Sequence, residues 1–477
     1  MMRRPSPWRC AALIPVAALS TCAVGPNFHT PAAPTETAYT PQPIATAGSD
    51  QRFVPGAKVE GKWWTQFHSP QLDALIERAL AANSDLAAAQ AALKVARETW
   101  LAQRGILVPQ IDAGATTSRS KSSQFLAPVP NETVFDYSLQ TAQLNVGYTL
   151  DLFGGNRRQV EQARAQYEAQ RYQTEAARFT LCNNVAAAAF QEASLRQQVA
   201  AQQRIVAIEE EVLGVMRRQL SDGQIAGADV LTQEAALAQA LAALPPLRKA
   251  LTQQQDLLAY LTGRSPGDGP IEGVNLAELT LPRDLPLSLP AELVRQRPDV
   301  RAAEENLHAA SAAVGVAIAA RLPNITLTAS AGGSSSNWSS LLSGANSFWT
   351  VGAGVAQPIF AGGSLLHKER AARAGYQQAQ AQYRSAVLTA FQNVADTLHA
   401  LQLDADALSA TRAARDSAEA SLTVTRRQYA QGQVAFLTVL TAEQNLRQAE
   451  QALVQAEAAR FADTAALFQA LGGGWWN

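Results

Sequence analysis

Side chains that could catalyse a reaction or hold a metal ion are few and scattered in this sequence of 477 residues. The histidines lack the short spacings that metal ligands need on one helix or in one turn; they are His29, His68, His308, His367 and His399. No glycine-rich loop leads from a strand into a helix in the pattern that binds phosphate. The sequence therefore predicts no enzyme, no cofactor and no metal site, and we expect function to depend on how the chain is built.

Composition and charge narrow the class of protein. The chain carries 39 basic and 40 acidic residues, so it has no basic surplus that would favour a nucleic-acid partner. Aromatic residues make up 6% of the sequence, and alanine, glutamine and leucine dominate it. This composition is typical of long paired helices.

The N-terminus indicates export and lipid attachment. An arginine-rich start followed by an apolar run over residues 10–19 predicts a signal peptide over residues 1–21, because the run is too short to span a membrane as a helix. The run ends in the sequence LSTC, which resembles the lipobox of bacterial lipoproteins and makes Cys22 the lipidated first residue of the mature chain. Thr21 differs from the small residue usual there, and the alternative is an ordinary signal peptide with an incidental cysteine.

Two segments of the chain repeat each other. Residues 217–234 read RRQLSDGQIAGADVLTQE, residues 426–443 read RRQYAQGQVAFLTVLTAE, and 10 of the 18 positions are identical. Gly223 and Gly432 lie where each long helical stretch must stop. The sequence therefore predicts a matched pair of helical turns.

A second internal match extends the duplication over most of the chain. Residues 85–111 align without a gap with residues 299–325, and such self-similarity indicates one structural unit built twice. After the signal peptide we predict four segments: a lipidated tether over residues 22–61, a first repeat over residues 62–265, a linker over residues 266–290 and a second repeat over residues 291–477.

Each repeat contains two segments with a period of two residues. Apolar positions such as Leu144 and Val146 alternate with small or polar ones, and Trp349 and Val351 do the same in the second copy. Strands of about ten residues with one apolar face are typical of a membrane β-barrel wall. The alternative for such strands is the edge of a soluble β-sandwich.

Each pair of strands is followed by a helix of about 60 residues, far longer than a globular helix. Val199, Val206, Leu213 and Leu220 fall on a seven-residue grid, which predicts coiled-coil packing. A second long helix returns after each turn, and the pair Pro245-Pro246 is expected to kink or break the first of these.

These elements predict a mainly α-helical protein with membrane β-strands, built from a duplicated unit of helix, two strands and a helical hairpin. Four strands per chain cannot close a barrel, and open sheet edges are not tolerated in lipid. We therefore expect a homotrimer with a 12-stranded β-barrel, within the usual size range, continued by a long α-helical coiled-coil tube. A lipid-tethered periplasmic coiled-coil scaffold without a pore is the alternative class.

Several short motifs resemble the TolC-like outer-membrane efflux proteins, in their lipoprotein branch. The resemblance is carried in order along the chain by CAVGPNF from Cys22, WW at Trp63, DLFG at Asp151, RPDV at Arg297 and LGGGW at Leu471. It implies an outer-membrane export duct that works with a periplasmic adaptor protein and an inner-membrane pump, of the RND type, and passes drugs or other small solutes. Export of proteins or peptides, as in type I secretion, is the alternative within transport.

The same resemblance assigns roles near the repeated turns. Asp229 and Tyr429 match a pair that links the two hairpins and latches the periplasmic end closed; the alternatives are helix capping for Asp229 and packing for Tyr429. Thr438 and Thr441 stand where relatives carry an acidic constriction ring, so a weaker cation preference is expected. Candidate adaptor contacts at the tips are Gly223, Gln224, Gly432, Gln433 and Val434.

Overall fold

The structure is a computed structural model of the chain. It describes residues 23–42, 46–48, 50–122, 135–269, 271 and 273–475. The predicted signal peptide and Cys22 lie outside the described residues.

Eight α-helices and six β-strands make up the regular structure of the described residues. In chain order they are β1 (Arg52–Pro55), α1 (Pro70–Ala82), α2 (Ser84–Arg104), β2 (Gln110–Ser122), β3 (Phe135–Leu150), α3 (Gly155–Ser221), α4 (Gly227–Leu261), β4 (Asp284–Leu287), α5 (Pro290–Gln296), α6 (Pro298–Ala319), β5 (Asn324–Ser335), β6 (Ser347–Ala356), α7 (Ser364–Ala430) and α8 (Phe436–Ala470). The predicted order of helix, two strands and helical hairpin is therefore present twice.

Four of the strands form one antiparallel sheet in the order β2-β3-β5-β6. The register aligns apolar side chains across all four strands, since Ile111 pairs with Val146, Val146 with Ala329, and Ala329 with Val351. Side chains alternate between the two faces of a strand, so the neighbouring row of pairs lies on the opposite face. The side chains of that row are polar or small. One face of the sheet is therefore apolar, as the alternating pattern predicted.

The apolar face of the sheet is open to the surroundings in the single chain. Ile111 is 69% exposed, Leu144 53%, Trp349 76% and Val351 72%. An exposed apolar surface of this kind marks a contact with a membrane or with another protein. Within the described residues, no helix combines the length and the apolarity needed to cross a bilayer.

The long helices of the two repeats are equal in length. Helices α3 and α7 have 67 residues each, and α4 and α8 have 35 each. Three of the four grid residues in α3 are buried, while Leu220, nearest the turn, is 39% exposed. The predicted heptad packing is present, and it ends within the last turn of the helix.

Helix α4 runs through Pro245 and Pro246 as one helix, so of the predicted kink or break the break is wrong and the kink stays a prediction. A proline has no N–H, and each one leaves the carbonyl four residues earlier without its helical partner. Those carbonyls belong to Leu241 and Ala242, which are both exposed. Water can satisfy them there, which lowers the cost of continuing the helix.

The predicted tether and the predicted linker both contain regular structure. Strand β1, within residues 22–61, pairs in parallel with β4, within residues 266–290. Phe53 and Val59 are buried, and so is Leu285 of β4. Burying these apolar side chains lowers the free energy of the folded chain, and an extended tether in solvent would not bury them.

The residues fall into two compact units, and each unit draws on both predicted repeats. The first comprises Met1–Pro31, Leu93–Gln170 and Ala303–Tyr383, and the second comprises Ala32–Ala92, Arg171–Ala302 and Arg384–Asn477. The four-stranded sheet lies in the first. The second holds an aromatic core in which the rings of Trp63 and Phe468 stack at 5.4 Å. The boundaries of the two sequence repeats stay a prediction.

Candidate functional site: the paired helical turns

The first repeated turn joins α3 to α4 through a C-terminal cap. The N–H of Gln224 donates to the carbonyl of Gln219 at 2.8 Å, and the N–H of Gly223 donates to that of Leu220 at 3.0 Å. This pair of bonds is the Schellman motif, which requires a left-handed residue after the helix. Gly223 supplies it with a φ of 71°.

The second turn repeats this geometry between α7 and α8. Gln433 donates to the carbonyl of Gln428 at 2.9 Å, and Gly432 donates to that of Tyr429 at 2.9 Å. Gly432 also has a φ of 71°. The duplicated sequence therefore folds into the same hydrogen-bonded turn twice.

The predicted adaptor-contact residues lie at the surface of these turns. Gly223, Gln224, Gly432 and Gln433 are exposed, and Val434 is half-buried. The residue equivalent to Val434 in the first turn, Ile225, packs against a buried cluster.

Each turn is also closed by an ion pair that the sequence analysis missed. Arg217 contacts Glu234 at 2.7 Å, and Arg426 contacts Glu443 at 3.5 Å. These are the first and last residues of the two repeated segments, so their conservation between the copies was the available signal. The arginines are exposed and the glutamates are partly buried, and surface pairs of this kind are worth about 0.2–1 kcal/mol each.

The two hairpins pack on each other beside the turns. Leu440 of α8 is 3% exposed and joins a cluster formed by the first hairpin. The other buried members of that cluster are Ile208, Val212, Leu213, Met216 and Val230. The position of one tip is therefore set by side chains of the other hairpin.

Asp229 and Tyr429 occupy separate local roles in the single chain. The carboxylate of Asp229 accepts a hydrogen bond from the N–H of Ala226 at 3.1 Å, at the start of α4. The ring of Tyr429 packs on Phe436 at 5.4 Å. Within the described part of the chain no hydrogen bond joins Asp229 to Tyr429, and the latch between hairpins stays a prediction for the assembled protein.

Both threonines at the predicted constriction are exposed on α8. The hydroxyl of Thr441 donates to the carbonyl of Leu437 at 3.0 Å. The N–H of Thr438 donates to the carbonyl of Ala435 at 3.0 Å, and Asp229 makes the same bond to Ala226 in the first turn at 3.1 Å. The two repeats therefore place an acid and a threonine at equivalent positions.

The residues after Cys22 are fixed to the junction between β3 and α3. The N–H of Val24 donates to the carbonyl of Phe153 at 2.9 Å. Arg158, which is 4% exposed, donates to the carbonyl of Val24 at 3.3 Å and to the side chain of Asn27 at 2.6 Å. A Cβ on Gly154 would lie 2.6 Å from that of Ala23, so this close approach requires glycine. We call residues 23–28 the strap.

His308 holds the other end of the strap. Its ring stacks on Phe28 at 4.4 Å, and its two nitrogens face Glu305 at 3.3 Å and Glu161 at 3.0 Å. Arg158 pairs with the second oxygen of Glu161 at 2.7 Å. The hydrogen bond to Glu305, helped by the one to Glu161, raises the pKa of His308 above its ordinary value, although burial acts in the opposite direction.

The stability contributed by His308 is expected to fall as the pH rises. Because the pKa of His308 is raised in the folded state, its contribution is complete below the unfolded value of about 6.5 and is lost as the pH passes the folded value. Thermal unfolding of the purified protein across this pH range measures the loss. His308→Phe keeps a ring against Phe28 but cannot titrate, so its melting temperature should lack this component. An identical pH dependence in both proteins would exclude His308 as the cause.

The described residues contain no group of three or more His, Cys, Asp or Glu side chains that could hold a metal ion.

Comparison with known proteins gives a family match over both repeats. The model of the family described as outer membrane efflux protein matches residues 75–264 and 289–473. The match therefore occurs twice, and it covers both repeated turns.

Individual relatives agree with this match over nearly the full chain. The pyoverdine export outer membrane protein OpmQ of Pseudomonas putida is 30% identical over 87% of this chain and 88% of its own. The solvent efflux pump outer membrane protein SrpC, also of Pseudomonas putida, is 30% identical over 96% of each chain. The solved outer-membrane channel OprN superposes with a TM-score of 0.84 at 28% identity, covering 96% of this chain and 100% of that one.

Proposed function

The chain belongs to the outer membrane efflux protein family, and on that premise we propose that it is the exit duct of a tripartite efflux system. It conducts small solutes passively from a periplasmic adaptor and an inner-membrane pump, of the RND type, to the exterior. Its site of action is the outer membrane, and its gate lies at the paired helical turns.

The observation that carries the proposal is the four-stranded sheet with one apolar face and two unpaired edges. Strands β2 and β6 are the outer members of the sheet. A membrane has no water to satisfy their free N–H and carbonyl groups, so the edges must pair with other strands. Three copies supply 12 strands, which is within the usual range for a closed barrel. We therefore propose a homotrimer, with the paired helical turns in the periplasm.

The paired turns are suited to docking and gating. Six turns from three chains would surround one periplasmic opening and present Gly223, Gln224, Gly432, Gln433 and Val434 to the adaptor. Thr438 and Thr441 would line the constriction without charge. An uncharged ring favours cations less than a ring of carboxylates does.

Lipid attachment at Cys22 is the proposed anchor, and the strap supports it. The N–H of Val24 donates to the carbonyl of Phe153, in the segment between β3 and α3, where the proposed barrel would meet its helices. An acyl chain on Cys22 would start close to the membrane surface. Cys22→Ser is expected to abolish labelling by radioactive palmitate while leaving trimers on native gels. Continued labelling would assign the lipid to another residue.

Asp229→Ala tests the latch against the cap. If Asp229 bonds Tyr429 of a facing hairpin, its removal should raise the open probability several-fold in planar bilayers. Tyr429→Phe, which removes only the phenolic oxygen, should have the same effect. If Asp229 only caps α4, we expect a loss of about 1 kcal/mol in helix stability. In that case conductance is unchanged and the latch is excluded.

The duct itself is tested by reconstitution. Purified protein in planar bilayers should give discrete single-channel currents, and a strain lacking the gene should accumulate a fluorescent efflux dye. Monomeric protein that conducts no current would contradict the proposal and favour a non-conducting scaffold.

The names of the relatives support the proposal that another component of the efflux system, and not this chain, selects the transported compound. Relatives of equal identity, 30%, are named for pyoverdine, for solvents and for toluene. A duct that accepts what its pump delivers needs no cargo-specific pocket, so we propose that the pump determines the substrate.

A further inference from the structure

The loop between β5 and β6, residues 336–346, lies over the apolar face of the sheet. Gly333 pairs with Ala142 of β3, and Ala142 shares its face with Leu144, two residues along the same strand. A Cβ on Gly333 would therefore point to the apolar face, and there it would overlap the carbonyl oxygen of Leu341. Leu341 is 6% exposed. The loop thus covers part of the face that the proposed function sets against lipid.

Hydrogen bonds of the loop fix it in this position. The side-chain oxygen of Asn337 accepts a hydrogen bond from the N–H of Ser340 at 3.1 Å. The side-chain amide of Asn346 donates to the carbonyl of Ser340 at 2.8 Å. The hydroxyl of Ser340 is also bonded to that of Ser335 in β5, which lies two residues beyond Gly333 and on the same face. The space between the loop and the sheet is therefore part of the fold.

An open groove of about 500 Å³ separates the loop from the sheet. The sheet contributes Ala113, Leu144 and Ala331 to its lining, and the loop contributes Leu341 and Leu342. Leu342 is 92% exposed and Leu144 is 53% exposed, so both present apolar surface. Within a bilayer the lipid tails are as apolar as leucine, and association there depends on close packing. A groove with apolar walls can hold one hydrocarbon chain by such packing.

The same face becomes basic at the far end of β2, away from α2. Strand β2 pairs with β3 without interruption, so every second residue from Ala113 shares its face, up to Arg119 and Lys121. Arg119 lies about 13 Å beyond Ala115 along the strand. It pairs with Asp136 at 3.0 Å, and its side chain is still 77% exposed. Lys121 is exposed as well. Two cations beside one carboxylate leave a surplus of one positive charge.

We propose that the groove and the two basic residues bind one phosphorylated lipid of the outer leaflet, of the acylated-sugar type. An acyl chain lies between the β5–β6 loop and the sheet, and a phosphate contacts Arg119 and Lys121. Hydrogen bonds from charged donors to phosphate are about twice as strong as neutral ones. The inference rests on the proposed function, because it takes the apolar face to be the membrane face and the far end of β2 to lie outward.

The order of side chains along the sheet favours this occupant. From the groove outward, the residues of β2 on this face are Ala113, Ala115, Thr117, Arg119 and Lys121. Apolar, hydroxyl and basic side chains thus follow one another as the tail, the polar junction and the phosphate do in a lipid. Residues 322–367, which include β5, the loop and β6, contain no lysine, arginine, aspartate or glutamate. Six of the 11 loop residues are serine or asparagine, whose hydroxyl and amide groups suit the hydroxyls of a sugar.

Native mass spectrometry of the purified protein tests the headgroup contact, with lipid A, a phosphorylated and acylated disaccharide, as the probe. Arg119→Gln combined with Lys121→Gln should raise the Kd for lipid A about tenfold, as expected for lost hydrogen bonds to a charged group. Lys94→Gln combined with Arg97→Gln removes the same charge from exposed positions of α2 and should change the Kd by less than about twofold. Phosphatidylglycerol should compete weakly, and equal competition would overturn the assignment to an acylated sugar.

The groove has its own matched pair of variants. Ala331→Leu fills the groove, whereas Ala329→Leu adds the same atoms to the same face beyond its lining. We expect Ala331→Leu to raise the Kd for lipid A about tenfold through overpacking, and Ala329→Leu to change it by less than about twofold. An unchanged Kd in Ala331→Leu, or in the double glutamine variant at positions 119 and 121, overturns the inference.

Single-channel recording of each variant separates this inference from the proposed function. Variants of the groove and of the basic residues that conduct and bind lipid A as the wild-type protein does contradict the lipid site and leave the duct intact. Wild-type protein that conducts no current contradicts the duct. In that case, weaker lipid A binding in Ala331→Leu but not in Ala329→Leu still supports the site.

Discussion

Leu440→Ala is expected to loosen the turn region by about 2–5 kcal/mol, the range for truncating a buried leucine. Leu440 is 3% exposed and belongs to the second repeat, yet it packs among residues of the first hairpin. Its loss should therefore release one hairpin from the other. Hydrogen exchange of amides in residues 208–216 measures the local opening free energy, which should fall, and we expect the single-channel open probability to rise.

The duplication supplies a matched control for this prediction. Leu231 is the counterpart of Leu440 in the first repeat and is 67% exposed in the single chain. Leu231→Ala removes the same atoms but should change exchange in residues 208–216 by less than about 0.5 kcal/mol. Equal effects of the two substitutions would show that the cluster does not hold the hairpins together.

Arg460→Met is expected to cost about 2–5 kcal/mol, because it removes two hydrogen bonds that a buried charged group donates. Arg460 is 2% exposed and donates to the carbonyls of Leu401 and Ala47. Burial and a hydrogen bond to Asp463 raise the pKa of Asp404 to about 7. Arg460 favours the ionised form of Asp404, so the loss should be greater at pH 8 than at pH 5. Thermal unfolding of the purified protein at both values measures it.

Arg412→Met is the control for this loss. Its side chain is 47% exposed and pairs with Asp50 at 3.3 Å. An exposed pair is worth less than about 1 kcal/mol, so the shift in melting temperature should be small. Similar shifts in melting temperature for the two substitutions would contradict the assigned role of the buried guanidinium. A loss of stability in Arg460→Met that is the same at both pH values would also contradict it.

The sequence predicted the elements that have long periodic signals. Alternation around Leu144 and Val351 gave the strands, and the heptad grid through Leu213 gave the long helices. Both signals arise from burial of one face, and they repeat over enough residues to outweigh local exceptions. The match between residues 217–234 and 426–443 also predicted that the chain contains two equivalent helical turns.

Short or locally atypical segments could not be predicted in the same way. Strands β1 and β4 have four residues each, and their pairing joins positions more than 200 residues apart. Pro245 and Pro246 disfavour a helix locally. The exposure of Leu241 and Ala242 to solvent and the packing elsewhere along α4 outweigh that preference. Such outcomes depend on tertiary contacts that a single sequence does not display.

Within the candidate site, the turn glycines were predicted and the ion pairs were missed. Gly223 and Gly432 follow from the need for a left-handed residue at a helix end. Arg217 and Glu234 lie on different helices, so their contact appears only once the hairpin is folded. Asp229 is observed as a cap, and Tyr429 packs on Phe436, so the predicted link between them is not formed within the described part of one chain.

The equal lengths of α3 and α7, and of α4 and α8, restrict how such a chain can gain or lose residues during evolution. An insertion in one helix of a hairpin would shift every later residue of its seven-residue apolar repeat away from the residue that it packs against in the other helix. A tolerated change in length must therefore come in multiples of seven residues, in both arms and in both repeats. Among homologues, indels are expected to accumulate in the loops between strands, and any in the hairpins should appear as four matched events.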